Sequence, residues 1–159
     1  EASIGAEDDQ QKMLQLRDFV SGYIQPHGRD IGYASALEVV RLRAGDCKAH
    51  AVLLAALARA QHIPARVITG MVYADRYGGS RQVFVPHAWV QAWVHGRWQS
   101  FDAALGHFDS AHLALDSGDG DPWHFVNLAN LFGQMRIAHV GAAPEQAATT
   151  MGGAVATRD

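Results

Sequence analysis

The chain predicts an α+β fold in which helices come first and strands follow. Three observations carry this. Apolar residues recur at helical spacing up to about residue 24, an alanine- and leucine-rich run fills 46–62, and β-branched and aromatic residues dominate from Ile63 onward. With 159 residues, the economical reading is one domain over 1–140, followed by a flexible tail or linker over 141–159.

Residues 1–9 are polar and acidic and predict a frayed start. From about Asp9, the positions Met13, Leu16, Phe19, Val20, Tyr23 and Ile24 mark one face of an amphipathic helix that should stop near Pro26, where PHGRD reads as a turn. A short second helix fits Ser35 to Arg43, with Ser35 as N-cap, Glu38 completing a capping box, and Gly45 as the breaker. The third helix, about Asp46 to His62, is apolar almost all round, which predicts a central, buried position.

IPARVITGMVY then reads as a strand, and ADRYGGSRQ as a mobile polar loop. FVPHAWVQAWV, HG and RWQSFDA read as strand, tight turn and strand, with Gly96 supplying a positive φ. AHLAL and LFGQMRIAHV fit two further strands, with SGDGDPWH as loop and 125–131 as a helical turn between them. The tail GAAPEQAATTMGGAVATRD has no apolar periodicity.

Composition narrows the function. An apolar fraction of 48%, a charged fraction of 18% and a net charge of −3 describe an ordinary globular protein, with no basic run to grip nucleic acid or an anionic membrane. No uninterrupted apolar stretch reaches the roughly 18 residues of a transmembrane segment. The start EASIGAEDD has neither an initiator methionine nor a signal-peptide core, as expected of a processed protein or a domain from a longer one. The nine histidines show no metal-ligand spacing, and the GG of ADRYGGSRQ lacks the strand-to-helix context of a phosphate cradle. No metal or cofactor is therefore expected.

The chemistry centres on Cys47, the only cysteine. Only a thiolate is a good nucleophile, and a place in the first turn of a helix favours the anion through unsatisfied N–H groups and the positive dipole end. Those groups are also potential oxyanion donors. Cysteine at a helix start is by itself more often core filler. Two downstream residues change the balance.

With a two-residue turn at His95 and Gly96, Trp93 faces Trp98, Gln91 faces Ser100 and Trp89 faces Asp102. His87, Trp89, Gln91 and Trp93 then share a face with Trp98, Ser100 and Asp102, while Phe84, Ala88, Val90, Ala92 and Phe101 form the apolar side. Asp102 becomes the diagonal neighbour of His87, within side-chain reach, where a carboxylate can hold the imidazole tautomer. Asp46 is expected to be an N-cap and His50 a structural histidine. Tyr33 is a candidate to line the site or donate to an oxyanion. Trp89 and Trp93 are candidates for a substrate-facing wall, with packing as the equal alternative.

GDCKAHAVLLAALARAQHIPARVITGMVY followed by VPHAWVQAWVHGRWQSFDAALG resembles the catalytic core of the transglutaminase-like superfamily, over about residues 35–106 and onward through AHLAL and LFGQMRIAHV. The resemblance implies a papain-like arrangement, with the cysteine helix packed on an antiparallel sheet. It also implies roles: Cys47 as nucleophile, His87 as general base and then acid, Asp102 as orienting carboxylate. Substrates would be peptide or side-chain amides of a protein, opened through a thioester. Hydrolysis is placed ahead of amine cross-linking because water is always available.

The alternatives are a non-catalytic peptide- or protein-binding module that keeps the fold, and acyl transfer from a small thioester, as in arylamine acetyltransferases. The chain departs from many bacterial relatives at Lys48 and Ala49, where they carry threonine-glutamate, and at Gln91, where glutamate is common. Relatives often form part of larger exported proteins, which makes an extracytoplasmic place and further domains the expectation.

Overall fold

The computed structural model describes residues 8–25, 32–122, 125, 126 and 134. The expected turn at PHGRD, the strand LFGQMRIAHV apart from Gln134, the tail and most of 125–131 lie outside these residues.

Among the described residues three helices precede four strands: α1 Asp9–Tyr23, α2 Ala36–Leu42, α3 Cys47–Ala60, β1 Ala65–Tyr77, β2 Ser80–Val94, β3 Arg97–Phe101 and β4 His112–Gly118. The strands form one antiparallel sheet in the order β3-β2-β1-β4. This is the α+β architecture the patterning predicts.

Local chemistry sets the helix ends. Asp8 caps α1 by accepting from the Gln10 N–H at 3.2 Å. The capping box of α2 is complete: Ser35 Oγ accepts from the Glu38 N–H at 3.3 Å, and Glu38 Oε2 accepts from the Ser35 N–H at 2.8 Å. This helix ends where expected, at Arg43, which turns left-handed at φ 50° and donates its N–H to the Val39 carbonyl. Asp46 caps α3, as expected, by accepting from the Lys48 N–H at 2.9 Å.

α3 lies at the centre. Its Ala49, Ala51, Leu53, Leu54, Ala55 and Ala58 are buried against Val67 of β1, Ala88, Val90, Ala92 and Val94 of β2, and Phe101 of β3, with Met13 and Val20 of α1 and Val39 of α2 completing the core. Small residues along α3 let the helix sit close to the sheet. The alternation of β2 therefore buries one face and leaves His87, Trp89, Gln91 and Trp93 on the other.

The β2–β3 hairpin has the predicted register, with Trp93 opposite Trp98 and Gln91 opposite Ser100. His95 at φ 52° and Gly96 at φ 75° form the turn. The last ladder pair is Val90 with Phe101, so Asp102 sits just beyond the end of β3.

The segment ADRYGGSRQ corrects the reading as a mobile loop. Gly78 and Gly79, at φ 55° and 85°, make a two-residue turn, and the ladder runs to Tyr77 opposite Ser80. Both faces of this hairpin tip are largely exposed, so there is no hydrophobic alternation to read. β4 is also longer than AHLAL and takes in Ser117 and Gly118. It pairs with β1 through a shift between Thr69 and Gly70, where a Cβ on Gly70 would lie 2.0 Å from the Leu113 carbonyl oxygen.

Candidate active site

Cys47 is the first residue of α3 and is part-exposed. It opens on a cavity of about 330 Å³ shared with His87 and bordered by Tyr33, Lys48, Thr69, Tyr77 and Phe125. The helix start is pinned by Asp46, whose side chain takes the Lys48 N–H and whose carbonyl lies 2.7 Å from His50 Nδ1. His50 thus has the structural role expected of it. Lys48 Nζ pairs with the Asp46 carboxylate and lies 5.6 Å from the Tyr33 ring centroid.

His87 is 9% exposed, and its Nε2 lies 2.6 Å from Asp102 Oδ2. Nδ1 is then the ring nitrogen left for Cys47, which interacts with this imidazole. Burial disfavours the charged ring, but the Asp102 carboxylate and then the Cys47 sulfur outweigh it, so the His87 pKa is raised from 6.5 to about 9.

Asp102 is wholly buried, and both of its oxygens are engaged. Oδ1 accepts from the Ala104 and Leu105 N–H groups at 2.8 and 3.0 Å, while Oδ2 receives His87 and a second histidine, His112, at 2.6 and 3.1 Å. Burial alone would raise its pKa, yet hydrogen bonds from His112, His87 and the Leu105 N–H hold the carboxyl well below the usual range. The turn after β3 therefore folds onto Asp102, which fixes the carboxylate that fixes His87.

Tyr33 lines the cavity, is 44% exposed, and stacks on Phe125 with centroids 5.6 Å apart. The substrate-wall role for Trp89 needs correction, because this residue is 1% exposed and packs behind the site. Its ring stacks on His87 at 6.2 Å and meets His112 edge-on at 5.3 Å. The packing alternative holds because Phe108 and His112 cover this part of the sheet face. Trp93 is 43% exposed and pairs edge-to-face with Trp98, away from the cavity-lining residues.

Sequence reasoning passed over His112, which looked like one of several scattered histidines. The aspartate three residues before it, Asp109, was a possible signal, but only the β4 pairing carries the ring to Asp102. His87, Asp102 and His112 present side-chain atoms within 4.8 Å of one another, spacing open to a metal ion, and these same atoms hydrogen-bond among themselves.

A family model for the transglutaminase-like superfamily core matches residues 1–103. The chain belongs to this superfamily. A solved structure from Cytophaga hutchinsonii, described as a putative cysteine protease, is similar with a TM-score of 0.57 and 31% identity. That similarity covers 68% of this chain but 36% of the other, so the present chain spans about a third of its length. Among curated proteins no sequence matches. Membership agrees with the helix-on-sheet architecture, and the papain-like expectation stands with it.

Proposed function

We propose that this superfamily member is a thiol-dependent enzyme that opens peptide or side-chain amides through a Cys47-His87-Asp102 triad. The observation that carries the reading is a part-exposed Cys47 at a helix start, sharing a cavity with a His87 whose far nitrogen is held by a buried carboxylate. His87 Nδ1 takes the proton of the Cys47 thiol. The thiolate attacks the amide carbonyl carbon, and first-turn N–H groups of α3 other than that of Lys48, which Asp46 takes, are the donors offered to the oxyanion.

His87 then passes its proton to the leaving nitrogen, the C–N bond breaks, and a thioester remains on Cys47. In the second half, His87 takes a proton from water or an amine as that molecule attacks the thioester and the thiolate leaves. Hydrolysis is favoured over cross-linking, since water reaches a part-exposed thiol whereas amine transfer needs a second shielded site.

Incubation with a peptide pool followed by mass spectrometry should capture an acyl adduct on Cys47 that is lost in Cys47→Ala. Full activity of Cys47→Ala on an amide substrate found this way would sink the triad. A labelled primary amine incorporated faster than hydrolysis would reverse the preference between the two outcomes.

A further inference from the structure

The His112 ring has no exposed side-chain surface, and both of its nitrogens meet carboxylates. Nε2 lies 3.1 Å from Asp102 Oδ2, while Nδ1 lies 3.0 Å from Asp109 Oδ1 and 3.2 Å from the Asp109 carbonyl oxygen. These atoms can only accept, so both ring nitrogens must donate, which a neutral imidazole cannot do. Among the described residues, the donor facing Nδ1 is the Asp109 N–H, which sits farther away, at 3.5 Å. The other neighbours are His87, with centroids 5.7 Å apart, and the rings of Trp89 and Phe108.

We infer that His112 is a positioning residue: an imidazolium clamped between Asp102 and Asp109 that keeps Asp102 ionised and its Oδ2 aimed at His87. This inference rests on the triad reading above. The arrangement answers a physical difficulty, because burial favours a protonated carboxyl, the two N–H groups on Oδ1 are neutral, and His87 on Oδ2 gives up its charge when it passes on its proton. A fixed cation on the far side opposes that. Asp109 extends the clamp outward, since its side chain is 49% exposed and ties the buried charge to solvent.

The test measures Cys47 alkylation by iodoacetamide, as the ratio of the rate at pH 5.5 to that at pH 9. An ordinary thiol, with a pKa of about 8.5, gives a ratio of about 10⁻³, whereas a thiolate held by His87 stays reactive in acid. The wild type should give a ratio above about 0.1 on that basis. His112→Leu should lower it at least about tenfold, and His112→Gln, which keeps a donor but not the charge, should recover part of the loss.

Asp109→Asn changes a half-exposed side chain and serves if His112→Leu does not fold; it should lower the ratio a few-fold. Wild-type ratios in both Asp109→Asn and His112→Gln would overturn the inference while leaving the triad standing. A wild-type ratio near 10⁻³ would instead overturn the triad and this inference with it. Independently, ¹⁵N shifts of His112 at pH 7 should report two protonated ring nitrogens, and a bare nitrogen there would refute the clamp.

Discussion

Replacing Asp102 with asparagine tests the centre of the site with almost no change in shape. The amide oxygen can keep the Ala104 and Leu105 N–H groups, now at 2.8 and 3.0 Å from Oδ1. The amide nitrogen then stands where Oδ2 takes His87 and His112, and it cannot accept from either. Two charge-assisted hydrogen bonds are lost, each worth about 1.5–3 kcal/mol. Burying a neutral amide costs less than burying a carboxylate and offsets part of this.

The net loss should be about 3 kcal/mol, or about 1.5 M in urea midpoint for an m-value of about 2 kcal/mol/M. The chemical effect should be larger. To accept the amide proton, His87 must bare Nε2 and protonate Nδ1, the nitrogen facing Cys47, so it can no longer take a proton from the thiol. A comparable change in a serine-protease triad lowers kcat about 10⁴-fold. Urea unfolding at pH 7 and the pH profile of Cys47 alkylation read the two effects separately. An unchanged midpoint together with an unchanged alkylation profile would refute the account of Asp102 as anchor.

The remaining predictions concern pH and backbone approach. Because the His87 pKa rises from 6.5 to about 9 on folding, its contribution is fully present below pH 6.5 and lost as pH rises through about 9. Stability from urea titrations should therefore fall by up to about 3 kcal/mol across that window, and His87→Gln should flatten the slope; a flat wild-type curve would contradict it. Asp102, held low, acts in the opposite sense: its contribution is present above about pH 4 and is lost on further acidification, measurable as an acid-unfolding midpoint that rises in Asp102→Asn. Gly70→Ala should cost more than about 3 kcal/mol or prevent folding, since its Cβ would meet the Leu113 carbonyl oxygen at 2.0 Å across the β1–β4 pairing. A melting temperature within a few degrees of wild type would show that β4 shifts easily.

Periodicity exposed the elements whose faces differ. The alternation of β2 writes a burial contrast into neighbouring residues, the capping box at Ser35 and Glu38 is a short-range hydrogen-bond motif, and the nearly all-apolar α3 marks a central helix, so all three were legible. The hairpin at Gly78 and Gly79 was not, because both of its faces are largely exposed and leave no contrast to read. Trp89 was ambiguous for a related reason. Alternation assigns it to the face of His87, but whether that face is open depends on Phe108 and His112, which arrive from later in the chain.

The local order of residues alone determined that Cys47 begins a helix and that His87 and Asp102 share one face of a hairpin, because helix caps and two-residue turns are short-range devices. Only the tertiary structure decided that Trp89 is walled in behind His87, and that the second partner of Asp102 is His112, ten positions on. Such contacts depend on which strand lies beside which. The pairing of β4 with β1 is set by burial across the whole sheet, which no local run of residues encodes.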